Sequence, residues 1–294
     1  KAEQVMLFGG KDGEKSCTSG LSRYCQDLWA WNAVSARWEP RAPVSEIAPW
    51  PSGRYGAGMA FDRVGGVVLL FGGDGDGVGC GEDGDEPCGD LWTWSSTTGE
   101  WSEFKPPEGA PWPAPRSWPG VAYDVRESSL LIVGGEYLAD TCEGDSEDGC
   151  GGVWQWPSGG DAWYRLRPIQ PEMVWPSARS RHAMAWDMGG KVGFLYGGWE
   201  AGESSNLAAE WITSMERWSY PYTAQSDESS CNAFACGETD GPEALSHHRV
   251  LYDSHAARIL VLGGRTNILL PSSGNYINLS GTGLVPVSCS MFEW

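Results

Sequence analysis

The chain has 294 residues, with 39 acidic against 20 basic side chains and a formal charge of −19, so no clustered Lys and Arg await a phosphate backbone and nucleic acid is not expected as a partner. No apolar run exceeds about seven residues, against the ~20 that a spanning helix requires, so no membrane insertion is expected. The 41 Gly, 19 Pro and 18 Trp imply many turns and many large flat side chains stacked between sheets, a profile of β structure.

From the N-terminus, the chain begins within a strand-like run and carries no secretory leader, as expected of a processed chain or a piece of a longer one. The run ends at Gly9-Gly10 and is followed by Cys17, Cys25, Trp29, Trp31 and Trp38. The same order then recurs with edits. The second glycine of each doublet falls at 10, 73, 135, 198 and 264, so the spacings are 63, 62, 63 and 66 residues, the mark of internal repeats. A landmark Trp follows that glycine by 19 residues in three copies (Trp29, Trp92, Trp154) and by 13 in the fourth (Trp211). A further Trp comes nine residues on at Trp38, Trp101 and Trp163, and seven on at Trp218. Asp62, Asp124, Asp187 and Asp253 each precede the first glycine of a doublet by ten residues.

Each copy reads as four short strands. The first alternates small and large residues over 54–61, 116–123, 179–186 and 245–252. Asp and Gly then turn the chain, and a β-branched apolar run such as Leu130-Leu131-Ile132-Val133 predicts a buried second strand. The Trp-x-Trp pair marks the third, because a period of two puts both rings on one face. A Gly-rich turn leads to the fourth around the last Trp. In the fifth copy only 275–279 and 289–294 are strand-like.

The nine cysteines fall in a pattern. Cys17 and Cys25, Cys80 and Cys88, and Cys142 and Cys150 each enclose seven residues at the same place in the repeat; Cys231 and Cys236 form a tighter pair and Cys289 is left over. No His interleaves and no CxxC occurs, so local disulfides are expected rather than a metal site. Cys289 is either a buried free thiol or half of an intermolecular bridge. Stable disulfides imply an oxidising compartment, hence a secreted or cell-surface protein.

Four antiparallel strands repeated at long period describe the blades of a β-propeller. The wording of the copies, with Gly72-Gly73, Trp92-Thr93-Trp94 and Trp101 as the fullest example, resembles the kelch repeat over essentially the whole chain. That resemblance implies an all-β fold, a single propeller domain over 1–294 with blades near 1–44, 54–105, 116–167, 179–222 and 245–294. Five repeats are visible and the first lacks its first strand. Either the C-terminal run folds back to supply it or residues beyond the ends complete a sixth blade.

In such an architecture the long loops gather on one face, where binding residues usually lie. Three features there are candidates. Acidic loops containing Asp74, Asp76, Asp83, Asp85, Asp145 and Asp148 offer the carboxylate and carbonyl oxygens that calcium takes, or are simply solvated. Trp50, Trp112 and Trp175 each fall four residues before an arginine, Arg54, Arg116 and Arg179, and Trp and Arg are the residues of binding hot spots; packing between blades is the competing role. Only His182, His247, His248 and His255 are available as imidazole ligands, with no Tyr-His pair of the copper-oxidase kind. No GxSxG elbow, P-loop or dinucleotide fingerprint occurs. Asn278 heads the single N-glycosylation sequon. The sequence thus predicts an extracellular propeller binding a protein or glycan partner, or other chains of a surface assembly. No cofactor is expected to be required, and calcium is the one candidate ion. The alternative is a metal-dependent enzyme with its site at the channel mouth.

Overall fold

The second strands are apolar at nearly every position because neighbours cover both of their faces. In Val67–Phe71, Val68 and Leu70 pack with Leu28, Trp92, Trp94 and Trp101, while Leu69 and Phe71 pack with Tyr123, Leu130, Ile132, Trp154 and Trp163. Alternate side chains of one strand therefore enter two different cores. Residues 5–12, 17, 23–43, 47–77, 79–80, 86–136, 152–167, 175–188, 192–200, 203–205, 207–212, 217–219, 245–264 and 292–293 are described by the structure, a computed structural model. All their regular structure is β.

Three four-stranded antiparallel sheets form the middle of the molecule. Unit two comprises Gly58–Asp62, Val67–Phe71, Leu91–Ser95 and Glu100–Phe104. Unit three comprises Gly120–Asp124, Ser129–Val133, Val153–Pro157 and Tyr164–Leu166. Unit four comprises Ala183–Asp187, Val192–Tyr196, Ala208–Ile212 and Arg217–Ser219. In each the strands pair in chain order. Unit one has Met6–Lys11, Tyr24–Asn32 and Arg37–Arg41, and unit five has Arg249–Asp253, Arg258–Leu262 and Phe292–Glu293. The first strands of units two to five lie side by side in series.

Four apolar clusters fill the junctions, one between each successive pair of units. Burying a Leu or Phe side chain is worth about 1.5–3 kcal/mol. Trp101, Trp163 and Trp211 are among the largest fully buried side chains.

One expectation is corrected here, and one alternative left open by the sequence is narrowed. Trp211 pairs opposite Gly193 just as Trp94 pairs opposite Val68, while Ala209 takes the place of Trp92. Trp211 is thus the second member of the Trp-x-Trp pair, and its seven-residue distance to Trp218 matches that from Trp94 to Trp101. Phe292 and Glu293 pair with Val261 and Leu260, so this part of the C-terminal run completes a third strand in unit five and does not pair with Met6–Lys11. The segment 275–279 lies outside the described residues.

The repeated Asp is a turn device. Oδ1 of Asp62 accepts from the backbone N–H of Val64 and Gly65 (both 2.8 Å), and Asp124 and Asp253 do the same two and three residues on. Asp62 also accepts from the Ser158 hydroxyl across the junction at 2.5 Å. Burial, with that carboxylate adding to it, pushes the nearby Tyr123 phenol up to about 12.

Candidate binding site at a left-handed register position

The glycine doublets end each second strand with two positive φ values, 70° and 98° at Gly72-Gly73. A Cβ on Gly72 would strike the Arg116 carbonyl oxygen of the next unit, so only glycine permits the approach. The Gly73 N–H donates to that same carbonyl at 2.9 Å. Gly135 repeats the stitch to Arg179 at 2.9 Å and Gly198 to Leu245 at 2.8 Å.

The three in-register arginines are buried and turned inward. Nη1 of Arg54, Arg116 and Arg179 donates to the carbonyls of Gly72, Gly134 and Gly197 at 3.2, 3.0 and 3.0 Å. Their Nε groups donate to the carbonyls of Ser52, Ala114 and Ser177. Arg54 further grips the Asp90 carboxylate through Nη1 (2.5 Å) and Nη2 (2.8 Å), and the Trp92 indole donates to the same carboxylate at 2.6 Å. Arg179 pairs with Glu200 at 2.7 Å. These guanidiniums hold the glycine doublets in place, which is the structural one of the two roles the sequence left open for them. The Pro-Trp residues are likewise engaged: the indole N–H groups of Trp50 and Trp112 donate to the carbonyls of Gln26 and Gly89, both at 2.5 Å. The rings of Trp50, Trp112 and Trp175 meet Trp101, Trp163 and Trp211 edge-on.

Disulfides Cys17–Cys25 and Cys80–Cys88 close two of the predicted loops. In the chain-entropy view a loop of this size contributes about 2.5 kcal/mol. The Cys80–Cys88 bridge lies against a small sheet in which Asp74–Gly75 pairs with both Glu86–Pro87 and Arg54–Tyr55. Cys142, Cys150, Cys231, Cys236, Cys289 and Asn278 lie outside the described residues. So do Asp83, Asp85, Asp145 and Asp148 of the calcium set, whose Asp74 and Asp76 are described. Among the described residues no three His, Cys, Asp or Glu side chains cluster closely enough to hold a metal ion.

The first strands begin later than predicted, at Gly58, Gly120, Ala183 and Arg249. What delays them is one residue with left-handed backbone in every unit from two to five. Gly56, Trp118, Arg181 and His247, each 17 residues before the second glycine of its doublet, have φ of 65°, 54°, 56° and 59°. They are chained together. The Trp118 N–H donates to the Gly56 carbonyl (2.7 Å), Arg181 to Trp118 (3.2 Å) and His247 to Arg181 (2.9 Å). Glycine adopts this conformation at no steric cost, whereas a bulky side chain costs about 1–3 kcal/mol. Elsewhere among the described residues, the left-handed positions outside glycine hold small residues, Ala36, Ser128 and Ala257, all in hairpin turns.

Around these four residues lies a continuous polar and aromatic patch. Tyr24 stacks on Tyr55 (6.1 Å), Tyr55 meets Trp118 edge-on (5.7 Å), and Trp118 meets His247 (5.3 Å). The Lys11 ammonium lies 4.7 Å from the Tyr55 ring centre. Arg181 Nη2 pairs with the buried Oε2 of Glu136 at 2.5 Å, while the two side chains as a whole are 24% and 45% exposed. The Trp118 ring lies against Gly56, where a Cβ would come within 2.7 Å of it. Beneath the patch His182 and His248 are buried and held neutral. Burial first, then the positive charges of Arg179 and His248, lower His182 to about 3, against the pull of the Val133 carbonyl. Burial lowers His248 to about 4, although its Nε2–H donates to the Tyr196 carbonyl at 2.9 Å.

Sequence reasoning passed over Tyr55, Trp118, Arg181 and Glu136, and weighed His247 only as a metal ligand. The available signal was Gly56: a glycine opening a first strand in one copy, with three unlike large residues at the same register elsewhere. No family model matches the sequence, and none of the curated proteins searched matches it.

Proposed function

We propose that this chain is a kelch-type β-propeller of a secreted or cell-surface protein, and that it acts as a binding module for a protein or glycan. Its ligand sits on the patch of Tyr55, Trp118, Arg181 and His247, rimmed by the disulfide-closed loops. Four-stranded sheets stacked face to face with their first strands in series support the propeller reading, together with the repeated Gly-Gly and Trp-x-Trp wording. Two cystines and the absence, among the described residues, of a helix long and apolar enough to cross a membrane agree with an extracellular setting.

One observation carries the binding reading. Three bulky residues occupy a backbone position that glycine fills at lower energy in a neighbouring unit, and they stay partly exposed there. Strain of this kind persists where a side chain serves a purpose other than folding. The chain and its Trp118→Gly/Arg181→Gly variant are screened together on immobilised glycans and extracellular proteins. A ligand held by the parent and weakened about tenfold or more by the variant supports the reading. Equal binding by both removes the patch as the site.

A further inference from the structure

Resting on that reading, we infer that the ligand of this patch is a pyranose saccharide, bound along the row of rings from Tyr55 through Trp118 to His247. Three features of the patch select this class. Its partly exposed rings are those of Tyr55, Trp118 and His247, with Tyr24 buried against Tyr55, so it offers flat stacking faces to a ligand. Its polar surface consists of donors and acceptors held side by side. Arg181 and Glu136 form one pair, and the buried Nε–H of Arg181 has no partner among the described residues. An adjacent guanidinium and carboxylate match the alternating donor and acceptor character of neighbouring sugar hydroxyls, which both give and take a hydrogen bond. Past the last ring the buried Ser246 hydroxyl, in contact with His247 Nδ1 at 3.1 Å and Ser204 at 3.3 Å, fixes the imidazole in place.

The third feature is rigidity. The backbone under the rings is fixed by the chain of N–H to carbonyl bonds through Gly56, Trp118, Arg181 and His247, and Gly56 lets the Trp118 ring lie directly on it. A weakly hydrophobic, hydroxyl-covered ligand gains little from burial and depends on groups already in place. Three of the four N–H groups and three of the four carbonyls at this position are spent between units, which disfavours β-addition of a peptide here.

The test uses the intact chain and soluble oligosaccharides: cello-, xylo- and mannohexaose as neutral probes and tetragalacturonate as an acidic one. Binding is followed by tryptophan fluorescence and calorimetry. Saturable binding of one or more probes is expected, weakened about tenfold or more by Trp118→Gly and by Arg181→Gly, with the unfolding midpoint of each variant measured alongside. Arg181→Lys, which keeps the charge and loses the planar fork, should fail to restore binding. If no probe binds while a protein ligand is found whose binding the same variants weaken, the saccharide inference falls and the patch survives as a protein site. No binding by any probe in the absence of such a ligand also overturns the saccharide class. Saccharide binding that both variants leave unchanged overturns the patch itself.

Discussion

Arg54, Arg116 and Arg179 recur with the same identity at one register position, and Gly56, Trp118, Arg181 and His247 differ at another two residues later. In the sequence the recurring arginines have the marks of a binding ring, and in the fold they are buried architecture. The varied set carries no such mark, yet it supplies the exposed patch. The difference teaches that in a repeat protein a residue shared by several units, here by units two to four but not by unit five with Leu245, answers a need those units share, here the fixing of a glycine doublet. A position where the backbone is kept and the side chain varies is free to serve a ligand, since the fold asks only for its φ.

The sharpest way to break this comparison is to remove a clasp. Arg54→Ala leaves the Asp90 carboxylate, 5% exposed, without its guanidinium, and the loss of a partner from a buried pair costs about 3–5 kcal/mol. Equilibrium urea unfolding should register that loss. A change below about 1 kcal/mol would place the arginines outside the architecture.

Acid is the next largest lever. His182 and His248 have folded-state values lowered to about 3 and about 4, below the unfolded value near 6.5. Between those limits the unfolded chain binds protons that the folded chain refuses. Their contribution is therefore fully present above pH 6.5 and is lost as pH falls toward 4. Each histidine adds a slope of about 1.4 kcal/mol per pH unit over that window. Unfolding measured from pH 7 to 5 should steepen accordingly, and His248→Asn should flatten the slope.

A smaller effect is expected at the rim. Cys80→Ser with Cys88→Ser should cost about 2.5 kcal/mol and leave ligand binding at the patch within a fewfold of the parent, read by the same unfolding and binding measurements.

The sheets were legible in the sequence because their causes are local. A central strand covered on both faces must be apolar throughout, and Val67–Phe71 and Ser129–Val133 say so. Asp62 and Asp124 announce their turns through a carboxylate that caps the next two amides. The start of the first strand was not legible, since Arg54 to Phe61 alternates without a break and the interruption comes from a left-handed residue that only Gly56 hints at. Nor was the site, which joins Tyr55, Trp118, Glu136, Arg181 and His247 from four units; no periodicity records which units' edges meet. The contrast between end and middle units has the same origin. Leu7 and Trp38 of unit one are 51% and 43% exposed, while their counterparts Leu70 and Trp101 are buried by the neighbouring sheet. Identical wording gives different burial when the neighbour differs.

The most direct measurement of the central claim is the unfolding free energy of the triple variant Trp118→Gly/Arg181→Gly/His247→Gly beside that of Arg54→Ala. Relief of left-handed strain offsets the lost contacts, so the triple variant should stay within about 1 kcal/mol of the parent while Arg54→Ala loses about 3–5 kcal/mol. A triple variant destabilised as severely as the clasp variant would mean that these three side chains are architecture, and the assignment of the patch as a binding site would be contradicted.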